Sequence, residues 1–393
     1  MGDALPGRGA GPAEQARAAG GAVVTRAARP VTYYDTTGLR LRRNGMAISR
    51  TGSAWQLDLG DGRGCRVEAP GVDQVPHELS RLVRAYSRDL ELVPVPRQDG
   101  TGPGVGEESG TARQVVLAYL EREVGALARA DLAVRLEEPE GVHDLRVAAR
   151  RIRATLRTFA PVLGGRLAGR FGSALRWLGA SAGPARDVEV QRARFFAALD
   201  KLPSDAVEDE VRVAAEQVFT AQAEEAAAEC AVVLDSPRYL QLLNALDVFV
   251  VVLREQSTGA QGKRARRPAE KVLPELVWKV VAETDARVGT GDVHAVRKSV
   301  KRLRYAVEAA GAALPVEQDQ VLKRLRGLQE LLGEYQDAVV AQDRLRPLVE
   351  AGEGTRAHAL VLEAEIRCAQ QCAEALPAAW REVYRQLAPL RRG

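Results

Sequence analysis

The chain has 393 residues, with 56 Lys and Arg against 52 Asp and Glu, a formal net charge of +4 and only 5% aromatic residues. That length leaves room for two domains, or a doubled one, around a substantial hydrophobic core. So even a charge balance excludes a protein that coats nucleic acid with its whole surface, and it leaves room for a local polyanion site.

The four cysteines, Cys65, Cys230, Cys368 and Cys372, form no CxxC pair and no disulfide framework. Cys368 and Cys372, four apart on an expected helix, read as buried thiols rather than metal ligands. The first thirty residues hold no apolar run of the signal type, and the longest run, Val248 to Leu253, is far too short to span a bilayer. The expected compartment is a reducing cytoplasm, with no membrane partner.

Residues 1–29 are rich in Gly, Ala, Pro and Arg without periodicity, and read as disordered. Residues 30–97 read as a small α+β piece. VTYYDT, AWQLDLG and CRVEA are short strands separated by Gly, Asp and Ser turns. Val75 to Asp89 is a short helix, and LELVPVP is a strand or an extended exit. The order YYDT, LRLRRNGMAI, WQLDL, RVEAP, VPHEL and LVPVP resembles the first half of a CYTH domain, the triphosphate tunnel family. The resemblance implies a truncated remnant. The ExExK motif that positions a catalytic metal in that family has no counterpart before Tyr33, and the acidic second half is missing between Pro96 and Thr111. A metal-assisted triphosphatase needs those clustered carboxylates.

Residues 98–110 form a linker by composition. From 111 to 390 the chain is nearly all helix, in two halves of about 111–256 and 269–390. The first helix is expected over Thr111 to Leu136, and others near 166–181, 186–200, 204–230, 236–255 and 269–286. Helices at 316–333, 335–351, 354–374 and 377–388 follow the second basic segment described next. Between the halves, Ser257 to Pro268 includes the basic run KRARR and reads chiefly as a solvated linker.

Two segments carry the functional signal. VHDLRVAARRIRATLRTF runs from Val142 to Phe159, and VHAVRKSVKRLRYAVEAA runs from Val293 to Ala310. At a common offset His143 pairs with His294, Arg146 with Arg297, Arg150 with Lys301, Arg151 with Arg302 and Arg153 with Arg304. On a helix, His143, Arg146, Arg150, Arg153 and Arg157 fall within an arc of about 80°, opposite Leu145, Ile152, Leu156 and Phe159. His294, Arg297, Lys301 and Arg304 repeat the arc. Each segment has five Lys or Arg, Lys298 among them, against one acid, Asp144 or Glu308. The duplication continues downstream, where Leu175–Val190 aligns with Leu325–Val340, pairing Arg176 with Arg326 and Asp187 with Asp337. A mainly α fold is expected, of internally duplicated helical bundles related by a pseudo-two-fold axis, plus the small α+β piece.

The repeated H-x-x-R-x-x-x-(R/K)-(R/K)-x-R pattern and the downstream L-(G)-x-x-x-D segment resemble the CHAD family, the conserved histidine α-helical domain, over about residues 111–390. The resemblance implies non-enzymatic binding of inorganic polyphosphate along a basic channel, and association with polyphosphate granules is the cellular expectation. The residues suit that ligand independently. A flexible polyanion without rings calls for rows of cationic donors, preferably Arg forks, and for few aromatics. Fourteen residues of helix give a rail about 21 Å long.

The expected binding residues are His143, Arg146, Arg150, Arg151, Arg153, Arg157, His294, Arg297, Lys298, Lys301, Arg302 and Arg304, with Arg176, Lys323 and Arg326 on neighbouring helices. Arg151 and Arg302 lie off the main arc, as rim contacts or salt-bridge partners. Asp187 and Asp337 are expected as partners for the crowded arginines. No cofactor or metal is called for, since the positions four beyond the histidines are Val147 and Lys298. Flanking arginines should depress each histidine's pKa and a bound polyanion should raise it, tightening binding below about pH 6.5. A triphosphate tunnel phosphohydrolase is disfavoured by the missing acidic motif. A nucleic-acid binder is disfavoured by the scarcity of aromatics for stacking.

Overall fold

The computed structural model describes residues 30–96, 110–203, 207, 209–255 and 263–392. The disordered tail expected at 1–29, most of the linker at 98–110 and the start of the basic loop lie outside these residues. Two compact units separate by internal contacts. One holds the strands, and the other holds residues 77–91 together with the helical remainder.

The first unit contains a five-stranded antiparallel sheet in the order β4-β3-β2-β1-β5. Its strands are β1 (Val31–Asp35), β2 (Ala47–Thr51), β3 (Ala54–Asp58), β4 (Gly64–Glu68) and β5 (Val93–Val95). One short helix, α1 (Arg40–Arg43), lies between β1 and β2. Ile48 faces Leu57 across the β2–β3 ladder, both are buried with Trp55, and Tyr34 packs 4.8 Å from the Trp55 ring. Asp35 closes the turn into α1. Its carboxylate accepts the backbone N–H of Thr36 (2.6 Å), Leu41 (3.0 Å) and Arg42 (3.0 Å), a local capping role for a residue of the YYDT run. An antiparallel sheet in this order is compatible with the tunnel-domain remnant. The helix expected at Val75–Asp89 forms as α2 (His77–Leu82) and α3 (Arg84–Ser87), and these cluster with the helical unit rather than with the strands.

The helical unit repeats a four-helix theme. Its first half contains α4 (Ala112–Arg135), α5 (Gly141–Thr158), the short α6 (Ala160–Leu163), α7 (Gly165–Ser181), α8 (Gly183–Leu199), α9 (Asp209–Asp235) and α10 (Pro237–Glu255). Its second half contains α11 (Leu273–Val288), α12 (Val293–Ala310), α13 (Gln318–Glu350) and α14 (Arg356–Leu387). Neighbours run in the same order in both halves. α4 packs on α5 and α5 on α7, while α11 packs on α12 and α12 on α13, and α5 and α12 meet in the middle. Leu145, Ala148, Ile152 and Leu156 of α5, with Val296, Val300, Leu303 and Val307 of α12, form the buried stripes. No single helix among the described residues is long and apolar enough to cross a membrane.

The ends of these helices follow local chemistry. Thr111 and Gln114 form a capping box at the start of α4. The KRARR loop adds to it, because Arg267 and Ala265 offer their carbonyls to the free N–H groups of Ala112 and Arg113. This basic run is therefore a helix-capping connection, and its Arg264 pairs with Glu275. Asp292 caps α12 through the Ala295 N–H at 2.9 Å. The matching position in the first half is Gly141, where a Cβ would lie 2.9 Å from the backbone of Ala133 and Val134. Close approach of α4 and α5 therefore requires glycine there.

Two expected breaks are absent. Residues 318–350 and 356–387 are single helices, although Pro347 and Pro377 lie inside them. A proline removes one backbone donor and strains one turn, and the long mutual packing of α13 and α14 outweighs that cost. The first half does break at the corresponding point. Gly183-Pro184 separates α7 from α8, where α13 carries Gly333-Glu334 and continues.

Candidate anion-binding site

The two basic helices are in contact, and their faces meet. Arg150 on α5 donates from Nε to the Tyr305 hydroxyl on α12 at 2.9 Å, and Arg302 on α12 donates to Thr158 Oγ1 on α5 at 3.1 Å. Beside this seam lies a cavity of about 750 Å³. Arg150, Arg153 and Arg157 line it from α5, Arg176 from α7, and Lys298, Lys301 and Arg302 from α12, with Tyr305 at its base. Gly165, Gly169 and Gly172 form the facing wall, and a Cβ on Gly169 or Gly172 would meet nothing within 4 Å. Among the described residues, no carboxylate lines this cavity.

Crowding shows in the proton affinities. Burial, followed by the charges of Arg176, Arg150 and Arg157, lowers the pKa of Arg153. Lys301 is pushed down to about 7, first by burial and then by Arg297, Arg150 and Arg146, with Asp337 pulling the other way. Burial also lowers Arg297, against the pull of Asp337. Its Nε is buried without a hydrogen-bond partner. Such an orphaned donor is costly unless something accepts from it.

Past Lys301 the seam changes character. Arg146 donates to the Gly183 carbonyl at 2.5 Å and to Asp187 at 3.0 Å, so it braces the α7–α8 break. Asp187 is thus an intramolecular partner, as expected. Asp337 is held above the usual carboxylate range by burial, opposed chiefly by the charge of Arg297. His294 is exposed and shares a 2.8 Å hydrogen bond between Nδ1 and Gln336. His143 lies 4.0 Å from Glu140, and its pKa is lowered first by burial and then by Arg186 and Arg150. The direction is the expected one, but burial outranks the flanking charges.

Several expected binding residues are used elsewhere. Arg151 pairs with Glu308 at 3.3 Å and Glu123 at 3.5 Å, and Arg304 pairs with Glu308 at 3.2 Å. Tyr119 donates to the same Glu308 at 3.2 Å. This cluster ties α4, α5 and α12 together, so Arg151 and Arg304 serve the scaffold. Arg302 also pairs with Glu283 at 2.7 Å while reaching the cavity. Lys323 lies apart, in a separate hollow between α13 and α14. Arg326 is exposed on α13 and is not among the cavity's lining residues.

One substitution accounts for the lopsidedness. Glu308 occupies the position that Arg157 holds in the first copy. Arg153 therefore faces a cavity of like charges, while its counterpart Arg304 is neutralised within its own helix. That signal was visible in the aligned sequences. The roles of Tyr305 and of the glycine wall were not, because an aromatic on a helix and scattered glycines have no distinctive spacing.

Against known proteins, a CHAD domain model matches residues 118–346, and the chain belongs to the CHAD domain family. Uncharacterized proteins from two strains of Mycobacterium tuberculosis are 30% identical over 278 residues, which cover 67% of this chain and 52% of theirs. The chain thus spans about half the length of these relatives. The crystal structure of the CHAD domain from the plant Ricinus communis superposes with a TM-score of 0.53 at 22% identity, covering 73% of this chain and 97% of that one. PptA from Streptomyces chartreusis gives 0.54 at 18% identity, covering 70% and 99%. These likenesses define the fold.

Proposed function

We propose that this protein binds inorganic polyphosphate, without turning it over, in the cationic cavity between α5, α7 and α12. The observation that carries this reading is a hollow of about 750 Å³ lined by Arg150, Arg153, Arg157, Arg176, Lys298, Lys301 and Arg302 with no acid in its described wall. Pockets of about 300–1,000 Å³ are typical of ligand sites. Apart from Arg302, which pairs with Glu283, this one concentrates positive charge without a paired acid, which folding disfavours and an anion relieves. Arginine forks match phosphate oxygens, and the glycine wall leaves room for a chain that has no rings. The proposed setting is the cytoplasm, with recruitment to polyphosphate granules as the cellular role.

A binding isotherm with long-chain polyphosphate tests the reading. The double variant Arg150→Glu, Lys301→Glu should lose most of the affinity while its circular dichroism stays unchanged, and retained binding would place the site elsewhere. Single-stranded RNA at physiological salt should compete poorly, because nonspecific nucleic-acid binding weakens steeply there. Metal-dependent release of phosphate from polyphosphate would overturn the non-enzymatic part of the proposal.

A further inference from the structure

Lys301 differs from the other cations of the cavity. Among the described residues it forms no ion pair, although the exposed lysine Lys279 pairs with Glu275 at 3.1 Å. It is half-buried, lines the cavity, and has three arginines of α5 (Arg150, Arg153, Arg157) and Arg176 of α7 around the same space. The charged groups that act on it are Arg146 and Arg150 from α5, Arg297 from its own helix, and Asp337 from α13. A cavity that collects phosphate groups around an amine suits one further chemistry. A small molecule bearing both a phosphate and an electrophilic carbon would be held by the arginines with that carbon against the amine.

We infer that Lys301 is an acylation site for small acyl phosphates, and that its acylation weakens the anion site. The lysine nitrogen attacks the carbonyl carbon of the acyl phosphate. A C–N bond forms, the C–O bond to phosphate breaks, inorganic phosphate leaves, and the amine's proton passes to water. No oxidant or further reactant is needed. Two properties of the site favour the step. The arginines raise the local concentration of the phosphorylated reagent, as positioned reactants require. Burial, followed by the charges of Arg297, Arg150 and Arg146, keeps a large share of this amine unprotonated near neutral pH, and only the neutral amine is nucleophilic. The product is an uncharged amide at the centre of the cavity, which removes a cation from the anion's surroundings.

This inference rests on the cavity invoked above for polyphosphate, and the test separates the two. The full chain is incubated with acetyl phosphate at neutral pH, and acetylation at each lysine is followed by peptide mass spectrometry. Lys301 should react at least about tenfold faster than the surface lysines Lys279 and Lys323, in keeping with modest pre-positioning. That preference should shrink with a neutral acetylating ester and with Arg153→Ala, Arg157→Ala. Equal rates at Lys301 and Lys323, or modification of Lys298 instead, would overturn the proposal. Polyphosphate should protect Lys301 and no surface lysine. Selective acetylation without that protection keeps the acylation site and refutes the polyphosphate reading. Tight polyphosphate binding without selective acetylation does the reverse. Lys301→Gln, which mimics the amide, should bind polyphosphate more weakly than Lys301→Arg, and equal affinities would show that acylation has no consequence for binding.

Discussion

Lys301 holds an amine where folding would prefer none charged, and its behaviour with pH follows from that. The unfolded chain keeps this lysine protonated to about pH 10.4, whereas the folded, empty protein does so only to about 7. Between those values the unfolded state carries more protons, so this group makes the empty protein more stable as pH rises, and its full penalty is present below about 7. A bound polyanion reverses the preference and restores the ammonium. We expect binding to take up a proton above pH 7 and affinity to fall as pH rises from there, with Lys301→Arg removing that slope. Calorimetry in buffers of different ionisation enthalpy measures the uptake, and a flat profile in the parent protein would rule it out. His143 should add a smaller tightening at lower pH, because its pKa is depressed in the empty site. The sequence identified the histidines as the titrating groups. It could not identify Lys301, whose displacement depends on burial and on arginines that approach from the other half of the repeat.

At the scale of elements, α5 and α12 look interchangeable on paper and are not. Their bounds, their apolar stripes and their cationic arcs were all legible, because helical periodicity and the offset between copies are properties of the sequence alone. What escaped was the partner choice of Arg151, which meets Glu308 and Glu123 only once three helices are packed. Glu308→Ala should therefore destabilise the protein by about 2–3 kcal/mol, below the full cost of breaking a buried pair because the cluster is partly exposed, and should leave polyphosphate affinity unreduced. Urea unfolding and a binding isotherm on the same variant check both halves of that statement. A second structural anchor behaves similarly. Asp131 is fully buried, pairs with Arg135 at 2.7 Å, and Arg135 in turn holds Asp235 at the end of α9. Asp131→Ala should cost about 3 kcal/mol, the low end for a broken buried pair, since Asp235 still compensates the buried guanidinium. The missed continuity of α13 and α14 has the same origin, because the Gly333 region and Pro377 read locally as stops and only tertiary packing shows that the stops are overridden.

For the whole molecule, ligand and stability should be linked. A ligand that binds only the folded state stabilises it by about 2.7 kcal/mol at a hundredfold excess over its Kd. The melting temperature should therefore climb with polyphosphate concentration. Filling the glycine wall offers a complementary check. Gly172→Leu adds a side chain where the structure has open space, so the fold should survive, while the chain's path is narrowed and affinity drops at least about tenfold. Unchanged affinity in a folded Gly172→Leu protein would mean that the phosphate chain lies against another wall.

The exchange of Arg157 for Glu308 between the two copies has a last consequence. Duplication supplies two equivalent surfaces, but here Arg153 and Arg157 of the first copy face the cavity while Arg304 of the second is held by Glu308. The result is a site with a distinct front and back inside a nearly symmetric frame. If the ligand is linear polyphosphate, as proposed, it reads identically from either end, so a chain entering in either sense would form the same complex, and direction would carry no information.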